Sequence, residues 1–311
     1  GIRAEHILPS STGVIGRPLP RQTMIDACRQ IPQRIHSPDL ESFSRAILTT
    51  DRWPKEKSVR LSSGITITGV AKGAGMIAPD MATMLAYILT DAKLDPATLK
   101  PLLEWAVDQS FNRISVDSDT STSDTVVLWA SGKSGPLVQL DLDQIGRLRQ
   151  PIPWEFSADF LPEAEQEFVT ALRDICLFLS GEIVRDGEGA TKVFEVRIIG
   201  SRTREEALQL ARSLVNSPLL KTAIHGADPN WGRLIMALGK VFSVPIALED
   251  LRIWLGETEL RKDSDLSLMR RYLENQNIQI QIQVGKGPAA ERMWGCDLTS
   301  EYVAINALYT T

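Results

Sequence analysis

The sequence is poor in the residues that build metal centres and disulfide frameworks. Its three cysteines, Cys28, Cys176 and Cys296, are odd in number and far apart, which argues against a disulfide scaffold and for a reducing compartment. Its three histidines, His6, His36 and His225, are scattered, and no CxxC or HxxxH spacing occurs, so nothing indicates a zinc site. No apolar run approaches the roughly 20 residues that span a bilayer, and no secretory signal opens the chain. Basic residues do not cluster and the net charge is −5, so the positive face that a nucleic-acid partner needs is missing. Neither GVAKGAG nor GKSG fits GxxxxGK[ST], which leaves a P-loop unsupported. Asp117, Asp119 and Asp124 lack the EF-hand spacing and its closing glutamate.

What is present is an ordinary globular composition. The 311 residues, 43% hydrophobic and 23% charged, suffice for one large domain or two medium ones with a sizeable core. Residues 20–30 and 38–50 read as short amphipathic helices. Residues 58–70 alternate and are β-branched, which predicts a hairpin turning at Ser62-Ser63-Gly64. Met81 to Leu89 is a continuous apolar run, hence a buried strand or helix. Residues 125–131 read as another buried strand, and 132–157 as an irregular surface excursion. Phe168, Leu172, Ile175 and Leu179 are spaced for a helix over 161–183. Phe194 to Ile199 reads as a strand, and Thr203 with Glu206 as a capping box that opens a helix. Residues 278–284 alternate strictly, giving a strand with one buried and one wet face. No internal repeat is present, and the mixture points to α/β or α+β layers. The chain begins Gly1-Ile2-Arg3 without Met, a start that reads as trimmed or processed.

Five polar, glycine-rich clusters interrupt the apolar elements: Ser11 to Gly16, Lys72 to Thr83, Asp117 to Thr125, Arg185 to Lys192 and Gly226 to Arg233. Charged and hydroxyl residues beside glycine suit backbone that must approach a ligand closely, and loops on a rigid scaffold are where sites are built. Each cluster taken alone reads first as plain turn chemistry.

Together they carry a resemblance. KGAGMIAPDMATML, Lys72 to Leu85, closely resembles the self-cleavage motif of the ornithine acetyltransferase (ArgJ) family. STGVIG at Ser11 to Gly16 looks like that family's oxyanion-hole motif, and AILTTD at Ala46 to Asp51 resembles its AI(M/L)TTD segment. FNR with DSDTSTSDT is similar to FNR…DGDTSTNDT. RDGEGATK and DPNWGR match closely, and YVAINALYTT resembles the YVxINAxYxT ending. The matches fall in the family's order and span residues 11 to 311. Departures are a missing segment ahead of STGVIG, Asp80 and Ser123 where the family usually has Asn, Ser118 where it has Gly, and Leu308 where an acidic residue is usual. Residues 137–157 look like an insertion.

The resemblance implies a layered α/β (α+β) sandwich of the DmpA/ArgJ type, working as an N-terminal-nucleophile enzyme. It implies two pieces, 1–82 and 83–311, the first lacking its start, made by self-cleavage at Ala82–Thr83. Threonine is a weak nucleophile without a base, and Thr83 has no histidine near it in sequence. An α-amino group with a pKa near 8 suits the task at neutral pH, and only a broken Ala82–Thr83 bond supplies it. By the same resemblance Thr12 and Gly13 form the oxyanion hole, Lys72 binds the substrate α-carboxylate, and Glu188 faces its ammonium side or orients the reacting groups. Thr49, Asn306 and Thr311 complete the pocket. The implied substrates are N-acetylornithine and glutamate, with no resident cofactor or metal, and with acetyl-CoA left open as a donor. An α2β2 heterotetramer of cleaved pieces in the cytoplasm, without membrane or nucleic-acid partners, is expected. A DmpA-like amidohydrolase and a catalytically silent homologue are the alternatives.

Overall fold

Alternating apolar residues at period two and helical stripes at period 3.6 sort the chain into two sheets with helices between and around them. The structure is a computed structural model that describes residues 3–34, 39–78, 84–261 and 263–308. Ala82, Thr83 and Thr311, three of the residues singled out above, lie outside the described residues.

In chain order the elements are α1 (Arg21–Arg34), α2 (Leu40–Ala46), β1 (Lys55–Arg60), β2 (Thr66–Lys72), β3 (Leu85–Leu94), α3 (Pro96–Asp108), β4 (Ile114–Ser115), β5 (Thr125–Val138), α4 (Leu142–Arg147) and α5 (Glu163–Arg185). They continue with β6 (Val193–Ser201), α6 (Arg204–Val215), α7 (Pro218–His225), α8 (Trp231–Gly239), β7 (Arg252–Leu255), β8 (Thr258–Glu259), α9 (Leu266–Leu273), β9 (Asn277–Gln283), β10 (Ala289–Cys296) and α10 (Ser300–Leu308). Side chains of Asp39, Asp95, Asp141, Thr203, Ser217 and Asp265 accept backbone N–H bonds at helix starts, which satisfies donors that a first turn leaves free. Among the described residues no helix is long and apolar enough to cross a membrane.

The first sheet has the order β1-β2-β3-β5 and the second β4-β10-β6-β9-β7-β8. β1 and β2 form the hairpin read from the sequence, turning through Ser62, Ser63 and Gly64. β3 pairs antiparallel with β2 and parallel with β5, so the apolar run from Met81 resolves, from Leu85 onward, as a central strand. β5 differs from expectation. It is an edge strand, mostly half-buried or exposed, and it runs on to Val138. Gly132 and Gly135, both left-handed at φ +68°, let it bend without ending, which is why their turn signals read as the start of a loop.

α5 lies between the sheets, packing on β1 and β2 of the first and on β4 and β10 of the second. Its Phe168, Leu172, Ile175 and Leu179 are fully buried. Close approach to β2 depends on Gly69, where a Cβ would stand 2.6 Å from Ile175 Cγ2 and 2.7 Å from Leu179 Cδ1. On the second sheet Phe194, Val196 and Ile198 of β6 face the core shared with α6, α7 and α8. The alternate residues Glu195 and Arg197 face the other way, toward Arg292 and Trp154, as strand alternation requires.

Candidate active site

β2 ends in Lys72, a lysine whose residue is only 1% exposed. Its ammonium donates to Thr12 Oγ1 at 3.2 Å and Thr49 Oγ1 at 3.4 Å. Among the described residues it has no carboxylate within ion-pair distance. Burial pushes its pKa down, while the more distant charges of Asp51 and Asp124 pull it back up and Lys55 lowers it further. The loop carrying Thr12 is tied to the first sheet by Ser10, whose hydroxyl meets Tyr87 of β3 at 2.5 Å. The end of α2, which leads to Thr49, is held by Phe43 stacked edge-on against the same tyrosine.

A buried charge network fixes these walls. The Lys55 ammonium bridges Asp51 at 2.7 Å and Asp186 at 2.6 Å, and all three side chains are fully buried. Asp51 also accepts the N–H groups of Gly73 and Thr49. Asp186 accepts the N–H and Nε of Arg52. Burial works to raise the Asp51 carboxyl, but Lys55 and the two N–H donors outweigh it and hold the group below its usual range. The network joins the Thr49-Thr50-Asp51 segment to the loop after α5, which carries Glu188.

Glu188 is 7% exposed. Its Oε2 accepts Asn306 Nδ2 of α10 at 2.7 Å, and its backbone N–H donates to Ala74 O at 2.8 Å. No cation pairs with it among the described residues. Gly75 is required beside it, because a Cβ there would fall 2.5 Å from the Glu188 carboxyl carbon. The turn after Gly75 is held by Asp117, which accepts Met76 N at 2.6 Å and Ile77 N at 2.9 Å; these bonds support Met76 at φ +54°. Asp124 Oδ1 accepts the Met84 N–H at 2.9 Å, where the described chain resumes. Burial pushes the Asp124 carboxyl up to about 6 against that N–H and the Lys72 charge, and its Oδ2 is buried without a partner.

These residues enclose a cavity of about 130 Å³ lined by Thr12, Gly13, Thr49, Lys72, Glu188 and Asn306 among others. All six were singled out in the sequence. The cavity also takes in Val14, Ile15, Thr50, Gly75, Met76, Ser121 and Ser123. These belong to the quoted motifs, but nothing in their types marked them as lining. The bracing groups Lys55 and Asp186 were missed. Asp186 stood in RDGEGATK, whereas Lys55 carries no sequence signal, since a lysine in an alternating strand reads as a wet-face residue. DPNWGR does not line this cavity; it borders a separate surface cleft with α9.

Chemically the cavity offers a buried lysine and a buried glutamate without ion-pair partners among the described residues, with hydroxyl and backbone donors around them. Isolated buried charges are costly, and a ligand bearing both a carboxylate and an ammonium relieves both costs. The fold and site therefore define an α/β protein with a small pocket that presents a buried lysine and a buried glutamate. The ArgJ family pattern matches residues 1–311. The chain is 39% identical to arginine biosynthesis bifunctional protein ArgJ 2 of Clostridium acetobutylicum over 99% of this chain and 74% of that protein. It is 40% identical to the ArgJ protein of Parasynechococcus marenigrum over 100% of this chain and 72% of the relative. The crystal structure of ArgJ from Bacillus halodurans superposes with a TM-score of 0.59 at 35% identity, over 72% of this chain and 98% of that one. The chain belongs to the ArgJ family.

Proposed function

We propose that this protein is a glutamate N-acetyltransferase (ornithine acetyltransferase) of arginine biosynthesis, moving an acetyl group from N2-acetyl-L-ornithine to L-glutamate through an acetyl-enzyme on Thr83. The observation that carries this reading is the pairing, in one small cavity, of buried Lys72 and buried Glu188, neither of which has an ion-pair partner among the described residues. Donor and acceptor are both amino acids, and a single pocket that serves each in turn suits a ping-pong exchange. The relatives' name, arginine biosynthesis bifunctional protein, supports the pathway.

In this mechanism Thr83 first attacks the carbonyl of Ala82, its neighbour. Water hydrolyses the ester, and the freed α-amine becomes the base for its own hydroxyl. The hydroxyl then attacks the acetyl carbonyl as the amine takes its proton. The Lys72 ammonium donates to Thr12 Oγ1, which leaves the Thr12 hydrogen free to meet the oxyanion beside the Gly13 N–H. Such a donor is worth about 3–4 kcal/mol in the barrier. The α-amine of ornithine leaves with the proton, the α-amine of glutamate attacks the acetyl ester, and Thr83 is regenerated. Lys72 holds the carboxylate of each ligand, Glu188 with Asn306 orients the amine side, and Thr311 closes the pocket. The mature form is an α2β2 heterotetramer of pieces 1–82 and 83–311 in the cytoplasm, without a bound cofactor.

The test is transfer itself. Purified protein given N-acetylornithine labelled in the acetyl group should pass the label to glutamate and carry it on the 83–311 piece in the absence of acceptor. Release of acetate to water at the same rate with and without glutamate would instead mark an amidohydrolase.

A further inference from the structure

Asp297 follows β10 and precedes α10, and its side chain is fully buried. Its two oxygens receive four donors. Oδ1 accepts Thr191 N at 2.8 Å and Lys192 N at 2.9 Å. Oδ2 accepts the Thr191 hydroxyl at 2.6 Å and lies 2.9 Å from Nδ1 of half-exposed His225, at the end of α7. Its own N–H donates to Lys192 O at 3.1 Å. The Lys192 ammonium does not pair with it, but donates to Ile224 O, His225 O and Leu273 O.

The bonds around Asp297 lead to both halves of one pair in the cavity. Thr191 stands three residues after Glu188. Thr299, two residues after Asp297, donates to Gly189 O at 2.8 Å and accepts Tyr302 N at 3.2 Å, which starts the turn of α10 that leads to Asn306. Gly189, at φ +68°, lies against that turn so closely that a Cβ would stand 2.4 Å from Tyr302 N. The 2.7 Å bond between Asn306 and Glu188 thus joins two segments whose relative position Asp297 and Thr299 set.

We propose that Asp297 is a positioning residue of the site: through Thr191 and Lys192 on one side and Thr299 on the other, it holds Glu188 and Asn306 in register, with His225 bracing it from α7. This connects the segment running into GADPNWGR, which lies away from the cavity, to the reaction. The inference rests on the reading that Glu188 recognises the ligand. A carboxylate with four donors is stiff, and a hydrogen-bonded pair tolerates only small displacements before it weakens.

The experiment uses the full chain and Asp297→Asn, which keeps the Oδ1 acceptor and replaces Oδ2. Hydrogen exchange of residues 186–192 is measured beside kcat/KM for N-acetylornithine, in the parent and in Glu188→Gln. Exchange in that segment should quicken, and kcat/KM should fall about 10-fold when Glu188 is present but less than about twofold in Glu188→Gln, because groups acting as one unit are non-additive. Should Asp297→Asn not accumulate, Thr191→Val removes a single bond to Oδ2 and carries the same two readouts. Unchanged exchange overturns the proposal, and so does an equal loss of kcat/KM in both backgrounds. If Glu188→Gln alone leaves transfer intact, the assignment of Glu188 fails, and the exchange result alone decides whether Asp297 positions the loop.

Discussion

Lys72, the last residue of β2, is the register partner of Leu85, the first residue of β3. Lys72 and Thr83 are eleven positions apart, yet this pairing brings the chain back beside Lys72 two residues after Thr83. The same pairing places the proposed cut between neighbouring strands of one sheet, since β3 sits between β2 and β5. Purified protein should therefore show two chains, 1–82 and 83–311, on a denaturing gel and a single species on native sizing. Thr83→Ala should remain one uncut, inactive chain. A single band from fully active protein would take the nucleophile's role away from Thr83.

Lys72→Ala should lower kcat/KM for N-acetylornithine by roughly 10- to 150-fold, the range of a charge-assisted contact worth about 1.5–3 kcal/mol. The Ala82–Thr83 bond needs no such anchor, so cleavage should persist. Steady-state kinetics on the cleaved variant measures this; unaltered kcat/KM would leave Lys72 with a structural part alone.

Two glycines separate activity from stability. Gly75→Ala drives a Cβ into the Glu188 carboxyl group, a side chain able to move, so Tm should hold while kcat/KM falls by about 10-fold or more as the Asn306 bond is lost. Gly69→Ala sets its Cβ against Ile175 and Leu179 in the packed interface of α5 and β2. That is overpacking, costing about 1–3 kcal/mol, and thermal unfolding should register it. A lowered Tm in Gly75→Ala together with an unaffected one in Gly69→Ala would contradict this division.

Asp124 supplies a pH test. Burial raises its carboxyl to about 6, so the folded state favours the neutral form and bears a cost once the group ionises. That cost is absent below the unfolded carboxyl value of about 3.9, grows as pH rises, and is complete above about 6. Asp124→Asn, which keeps an acceptor for the Met84 N–H, should match the parent in stability at pH 3.5 and exceed it at pH 7. The gain should be about 1 kcal/mol, less than the full shift would give, because solvent screens a half-buried carboxylate. Denaturant melts at the two pH values compare them directly, and a constant difference would count against the buried-carboxylate account.

Much of this architecture was legible before any coordinates. Phe168, Leu172, Ile175 and Leu179 announce α5, and the alternation around Ile278, Ile280 and Ile282 announces β9, because burial on one face imposes a period. Lys72, Glu188 and Asn306 could be collected only through family resemblance, since a lysine beside glycines and a loop glutamate are individually ordinary. Lys55 was invisible because its partner Asp186 is 131 residues away, and no local pattern encodes a long-range ion pair. β5 was misjudged at both ends of its character. Its apolar start reads as buried whether or not a further strand covers it, and Gly132 and Gly135 read as breaks although a strand at a sheet edge can bend through them.

The proposed cut between β2 and β3 would give the molecule a history. Beforehand β3 finds its partners within one polypeptide, at a rate that dilution does not change. Afterwards the same alignment would be a meeting of two polypeptides, and recovery from denaturation would become second order. An uncut chain would refold at a rate independent of its concentration, whereas a cleaved form, once dispersed, would return only as fast as its two pieces encounter each other. Maturation would thus trade reversibility for a free amine on Thr83.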